Sequence, residues 1–130
     1  MRTSEILNKA ADLIEERGWQ TGDWGWAEGS PMCLEGGIAI AAGVDHMHGV
    51  GSFLLDSCPA ARAVHSYLGL SHSEELWEWN DRSLGFCRRR GLPIGSSHDR
   101  DASEVIEVLR ATALIEEAKE DASVSESVAA

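Results

Sequence analysis

The 130-residue chain lacks any apolar run approaching the roughly 20 residues that a membrane span requires, so no membrane partner is expected. It is also short of positive charge, with 11 Lys and Arg against 22 Asp and Glu and a net charge of -11. Sequence-independent nucleic-acid binding needs a basic surface to displace counterions, and that function class is set aside. What the imbalance permits is high solubility and attraction to a basic partner. The cysteines Cys33, Cys58 and Cys87 cannot all pair within one chain, and their spacing contains no CxxC unit. Reduced thiols in a cytoplasmic protein are the simplest expectation. The N-terminal stretch "MRTSEILNKAADLIEERG" reads as an amphipathic helix rich in acidic side chains rather than as a signal peptide. Internal repeats and convincing β-alternation are missing as well, as are the local signatures of known catalytic cysteines.

What is present is helical periodicity. Ile6, Leu7, Ala10, Ala11, Leu13 and Ile14 line one side of a first helix that Thr3 or Ser4 can cap. Gly18 stands at its left-handed C-terminal position, with Trp19 packing back on Ile14. The glycine-rich loop 20–29 carries Trp24 and Trp26. Ser30 and Pro31 suit the N-cap and first position of a second helix, 31–42, which puts Cys33 at the third helical position. Its stretch "GGIAIAA" has no polar face, and a helix apolar all round is a buried one. A third helix opens at Pro59, with Ala60, Val64, Tyr67 and Leu68 inward and Gly69 ending it. Ser71-x-x-Glu74 is a capping box for a fourth helix bearing Leu76, Trp77 and Trp79. The stretch from Asn80 to Arg100 reads as a long irregular link, the kind that is functional or mobile. Asp101-x-x-Glu104 caps a fifth helix, 101–119, with Val105, Leu109 and Ala113 inward and Ile106 and Val108 widening the stripe. The expected fold is all-α, a compact single-domain bundle of about five helices around a buried central helix (31–42). The domain spans 1–120, and 121–130 form a flexible acidic tail.

Four constellations could carry chemistry. Cys33 near a helix N-terminus is the one candidate nucleophile, because the dipole and free N–H groups favour a thiolate. A basic partner would come from His46, His48, His65, His72 or His98. No sheet is legible to present that histidine as in papain-like hydrolases, so a buried, space-filling thiol is the preferred reading. His46 and His48 are the tightest candidate metal pair, but they lie in a glycine-flanked loop with no second pair at finger-like spacing. No cofactor is expected. Asn80, Asp81 and Arg82 follow the aromatic pair; Asn and Asp favour local bonding that ends a helix, while Asp81 with Arg82 could orient a ligand. Arg88, Arg89 and Arg90 are the only basic run. They are expected to project outward under diffuse attraction, so that exchanging all three for serine leaves melting nearly unchanged.

The segments "ILNKAADLIEERGW", "CLEGGIAIAAG", "LWEWNDR" and "ASEVIEVLRATA" together resemble a family of small uncharacterised proteins of actinobacteria and their bacteriophages, mycobacteriophages included, known only as a domain of unknown function. The resemblance covers residues 5–119. It implies a cytoplasmic helical domain encoded by an actinobacterium or a phage, and it brings no catalytic residues. The stretch "GFCRRRGLPIGSSH" is a departure, since the family's link at that point is expected to be shorter. The favoured function is that of a non-enzymatic binding or regulatory protein that contacts a host or cellular protein. Trp24, Trp26, Asp81, Arg82, Arg88, Arg89 and Arg90 are its expected contact residues. A thiol-dependent enzyme centred on Cys33 and a metal-binding module using His46 and His48 are the alternatives.

Overall fold

Helical periodicity sets the architecture. The computed structural model describes residues 1–22, 25, 29–44 and 52–129, and among them the chain is helical with no named strand. The elements are α1 (Thr3–Arg17), α2 (Leu34–Ala42), α3 (Ser52–Ser57), α4 (Pro59–Tyr67), α5 (Glu75–Asp81), α6 (Leu84–Arg90) and α7 (Ala102–Ala129), with a short 3-10 turn at Ser96–His98. Among the described residues, seven α-helices thus replace the expected five. The two additions are α3, a stretch too short to read from sequence, and α6, inside the supposed irregular link. Ser83 caps α6 by accepting the Phe86 amide at 3.2 Å, Gly91 closes it in the left-handed conformation, and Phe86 and Cys87 are buried beneath it.

The most extensive helix pairing is α1 with α7, and α1 also packs on α2 and α4. Leu7, Ala10, Ala11 and Ile14 of α1 join Ile38, Ala39 and Ala41 of α2, Val64 of α4, and Val105, Leu109 and Ala113 of α7 in one apolar core. The second helix is buried as its lack of a polar face demands, yet the long α1–α7 pair, rather than α2, is the axis of the bundle. Gly37 shows why α2 tolerates a glycine: a Cβ there would lie 3.1 Å from the Ile14 Cδ1 of α1. Tyr67 departs from its expected inward position and is 45% exposed.

Caps come from unexpected quarters. Thr3 and Ser4 do not cap α1; the Ser4 amide and hydroxyl both donate to Glu120 of α7, at 3.1 and 2.7 Å. α7 runs ten residues beyond its expected end at 119, through the boundary placed at residue 120. Its first turn behaves as read, with Asp101 Oδ1 accepting the Glu104 amide at 2.9 Å. Before α5, Glu75 rather than Glu74 reaches back to a backbone donor, accepting the Ser71 amide at 2.7 Å. No helix among the described residues is long and apolar enough to cross a membrane.

Candidate functional site

The site forms where α2 begins and α5 ends. Gly18 takes φ +97, a conformation that favours glycine, and turns the chain out of α1. Trp19 then forms an isolated parallel bridge with Met32, in which Gln20 donates to the Met32 carbonyl at 3.1 Å and Met32 to the Gly18 carbonyl at 3.0 Å. This bridge holds residues 31–33 extended, so α2 starts at Leu34, three residues later than its apolar pattern suggests. Cys33 is therefore the N-cap and not the third helical residue. Its Sγ accepts the Gly36 amide at 3.3 Å.

Asn80 is the hub and is fully buried. Its Oδ1 accepts the Trp19 indole N–H at 2.7 Å and the Leu34 amide at 2.9 Å. Its Nδ2 donates to the Gln20 carbonyl at 3.3 Å and to Asp81 Oδ1 at 2.9 Å. Every bond a carboxamide can make is thus made, and it joins three separate segments. Asn80 and Asp81 were expected to end a helix and bond locally; α5 does end at Asp81 and Asn80 bonds its neighbour, but the two also bridge to partners some 46 to 61 residues away in sequence. Asp81 Oδ1 also accepts the Gly22 amide at 3.1 Å, tethering the segment that follows Trp19.

Arg82 follows in the left-handed region with φ 49, the only non-glycine residue of positive φ among the described ones. Its side chain is half-buried and makes no ion pair or hydrogen bond with a described residue. Arg100 lies over the Trp79 ring at 3.7 Å, donates to the Trp79 carbonyl at 2.7 Å and pairs with Glu104 at 2.9 Å. With Trp19, Thr21, Asp81 and Asp99 it lines a cleft of about 250 Å³. Trp77, on the same helix as Asn80, is 40% exposed.

Two buried acids sit beneath this surface. Burial pushes the Cys33 thiol up to about 12, against the favourable Gly36 amide and with Glu35 and Asp81 adding to the rise. A thiol so placed is protonated at neutral pH and a poor nucleophile. Glu35, 1% exposed, has no hydrogen-bond partner on either carboxylate oxygen. Burial, and then the charge of Asp81, pushes its carboxyl up to about 8; the Trp77 amide opposes this but stays outside hydrogen-bond geometry. Sequence reading overlooked Glu35. The signal was there, since it is the one charged residue inside an otherwise apolar helix.

The histidines give Cys33 no base among the described residues. His65 contacts the His72 carbonyl at 3.0 Å, His72 pairs with Glu74 at 3.1 Å, and His98 is exposed on the 3-10 turn. Trp24, Trp26, His46 and His48 lie outside the described residues. Among those described, no three His, Cys, Asp or Glu side chains converge as metal ligands.

The arginine run is not held diffusely. Arg90 pairs with Glu75 at 2.8 Å, and Arg89 with Glu75 at 3.3 Å and with Glu78 in close contact. Arg90 also lies over the Phe86 ring at 5.2 Å. Forming α6 aims these two guanidinium groups at α5, where Glu75 and Glu78 are buried. All three arginines are exposed, but Arg88 alone makes no ion pair with a described residue.

A family of unknown function, DUF6197, matches residues 1–114, and the chain belongs to it. No curated protein and no solved structure matches the chain.

Proposed function

We propose that this member of a family of unknown function is a non-enzymatic binding or regulatory protein, acting through contact with a host or cellular protein. The observation that carries the reading is the division of labour around Asn80. The polar groups bonded to Asn80 are occupied with one another, while Trp77 is exposed and Arg82 makes no bond to a described residue. A buried thiol that burial pushes up to about 12 is a poor nucleophile at neutral pH. An exposed Trp77 and an unpaired Arg82 at the end of one helix are the side-chain types that dominate protein contacts. Asp81 belongs to the same proposed face, and Trp24 and Trp26, outside the described residues, are further proposed contact residues. Arg88 extends it, whereas Arg89 and Arg90 serve the fold first. The excess of acid over base favours a partner with a basic surface. The cytoplasmic setting, supported by three free buried cysteines, and the actinobacterial or phage origin are parts of this reading.

Strain at Arg82 allows a clean test. Arg82→Gly removes the cation and places the favoured residue in a left-handed cap, so stability should hold or rise by up to about 1 kcal/mol. In pull-downs from an actinobacterial lysate, Arg82→Gly and Trp77→Ala should lose proteins that the wild type and Cys33→Ser retain. Retention by both surface variants, or loss with Cys33→Ser alone, would reject the proposed face.

A further inference from the structure

Glu35 is the feature that the proposed contact face does not use. A carboxyl with no bond to either oxygen is a costly thing to enclose, and natural interiors rarely hold one. It lies on the first turn of α2, beside Leu34, whose amide is fixed by Asn80 Oδ1. Asn80 in turn binds Asp81, and Asp81 Oδ1 holds the Gly22 amide. One chain of hydrogen bonds therefore runs from the start of α2 to the segment after Trp19, and Glu35 lies beside its first link.

The charged surroundings of Glu35 are one-sided. Asp81 on α5 is the charged group that acts on it among the described residues, and Cys33 is the other titratable neighbour. The basic groups on the helices packed against α2 are directed elsewhere: Arg17 of α1 to the Gly25 and Ser30 carbonyls, Arg62 of α4 to the Leu55 and Asp56 carbonyls, His65 of α4 to the His72 carbonyl. The remaining acids of α5, Glu75 and Glu78, face α6. Loss of the Glu35 proton would thus put a second negative charge near Asp81. The cations on that side, Arg82 next in sequence and Arg100 lining the same cleft, make no hydrogen bond or ion pair with either carboxylate, Arg100 being held by the Trp79 carbonyl and Glu104.

We propose that Glu35 is a proton-controlled latch: neutral, it lets Asn80 and Asp81 clasp the Gln20–Gly22 segment against α5; ionised, it drives that clasp open. The opening is an electrostatic displacement of Asp81 together with entry of water to the new carboxylate, and the lost proton goes to solvent. The neutral, closed form prevails below about pH 8, where the Glu35 carboxyl titrates. Its effect on partner binding rests on the reading of this region as the contact face, but the latch itself does not.

Hydrogen exchange followed by mass spectrometry tests it on the whole chain from pH 6 to 9.5, with labelling times scaled for intrinsic exchange. Peptides containing Gln20–Gly22 and Leu34 should lose protection about tenfold between pH 7 and 9, the change expected as a carboxyl of this kind passes from mostly neutral to mostly ionised. Peptides from the α1–α7 pairing should not change. Glu35→Gln should remain protected throughout. Asp81→Asn keeps an oxygen for the Gly22 amide but removes the repelled charge, so its transition should shrink and move to higher pH-independent protection. A transition that persists in Glu35→Gln, or protection in the wild type that ignores pH, overturns the latch. Should Glu35→Gln melt early, Asp81→Asn decides alone: an undiminished transition rejects the proposal. No partner enters this measurement, so the latch and the binding reading fail separately.

Discussion

Glu35 and Glu75 are equally hidden, at 1% and 2% exposure, and their chemistry is opposite. Glu75 accepts from Arg90, from the Ser71 amide and from Arg89, and these bonds, Arg90 first, hold its carboxyl down at about 2. Glu35 has no partner, and burial pushes it up to about 8. Depth in the protein is therefore a poor guide to charge. The neighbours decide whether a buried acid is a fixed anion or a neutral group waiting to ionise. The end of α5 near α6 is electrostatically closed, and its end near α2 is not.

The sharpest contrast comes from adding a third carboxyl with no niche at all. Ile38 is fully buried in the middle of α2 and touches the common core. Ile38→Asp strands a charge there and should abolish the cooperative melt seen by circular dichroism. A soluble variant with a normal transition would show that α2 is dispensable to the core.

Next in size is the removal of Glu75's partners. The sequence led to the expectation that losing Arg88, Arg89 and Arg90 would leave melting unchanged. Because Glu75 and Glu78 are buried, Arg89→Ser with Arg90→Ser should instead cost about 3 kcal/mol in denaturant unfolding. A loss below about 1 kcal/mol would mean that the half-exposed guanidinium groups are replaced by water at little cost.

The reason for that misjudgement is physical. A run of arginines reveals its charge but not its direction, which α6 sets. That helix was hidden because glycines stand near both its ends and its middle contributes only Phe86 and Cys87 to the core. The inward stripes of α1 and α7 were legible, since Leu7, Ala10, Ile14, Val105 and Leu109 repeat at helical spacing and bury almost completely. The start of α2 was misplaced for the opposite reason to α6. Ser30 and Pro31 are good local signals, overridden by the bridge between Trp19 and Met32. Of the site, the cluster at Asn80 and Asp81 was visible as a polar group in the sequence, but its long-range partners could not be read from spacing. Such bonds depend on where two distant segments meet.

Titration separates the two glutamates directly. Glu75, with its folded value lowered, stabilises the protein above the ordinary carboxyl range, and that contribution disappears as pH falls toward about 2. Glu35, with its folded value raised, contributes fully below the ordinary range, and the contribution disappears as pH rises through about 8. Glu35→Gln should match the wild type near pH 4 and gain on it by roughly 2 kcal/mol at pH 9. Each pH unit over which folded and unfolded carboxyls differ is worth about 1.4 kcal/mol, and relaxation around the ionised group offsets part of the total. Parallel stability profiles for the two proteins would place Glu35 in contact with water.

The smallest effect is expected at Arg88, and its smallness is informative. Arg88 shares α6, the exposure and the charge of its two neighbours, yet it pairs with no described residue. If position relative to α5 decides what each arginine does, Arg88→Ser should change unfolding by less than about 0.5 kcal/mol. The double change at Arg89 and Arg90 would carry nearly all of the triple variant's loss, so the two effects should add. On the proposed reading, Arg88→Ser should also weaken partner binding most at low salt, because an exposed charge acts across solvent and is screened. A destabilisation at Arg88 comparable to that at Arg90 would mean that the run acts as one diffuse charge. The distinction between an arginine held by a buried glutamate and one left free would then collapse.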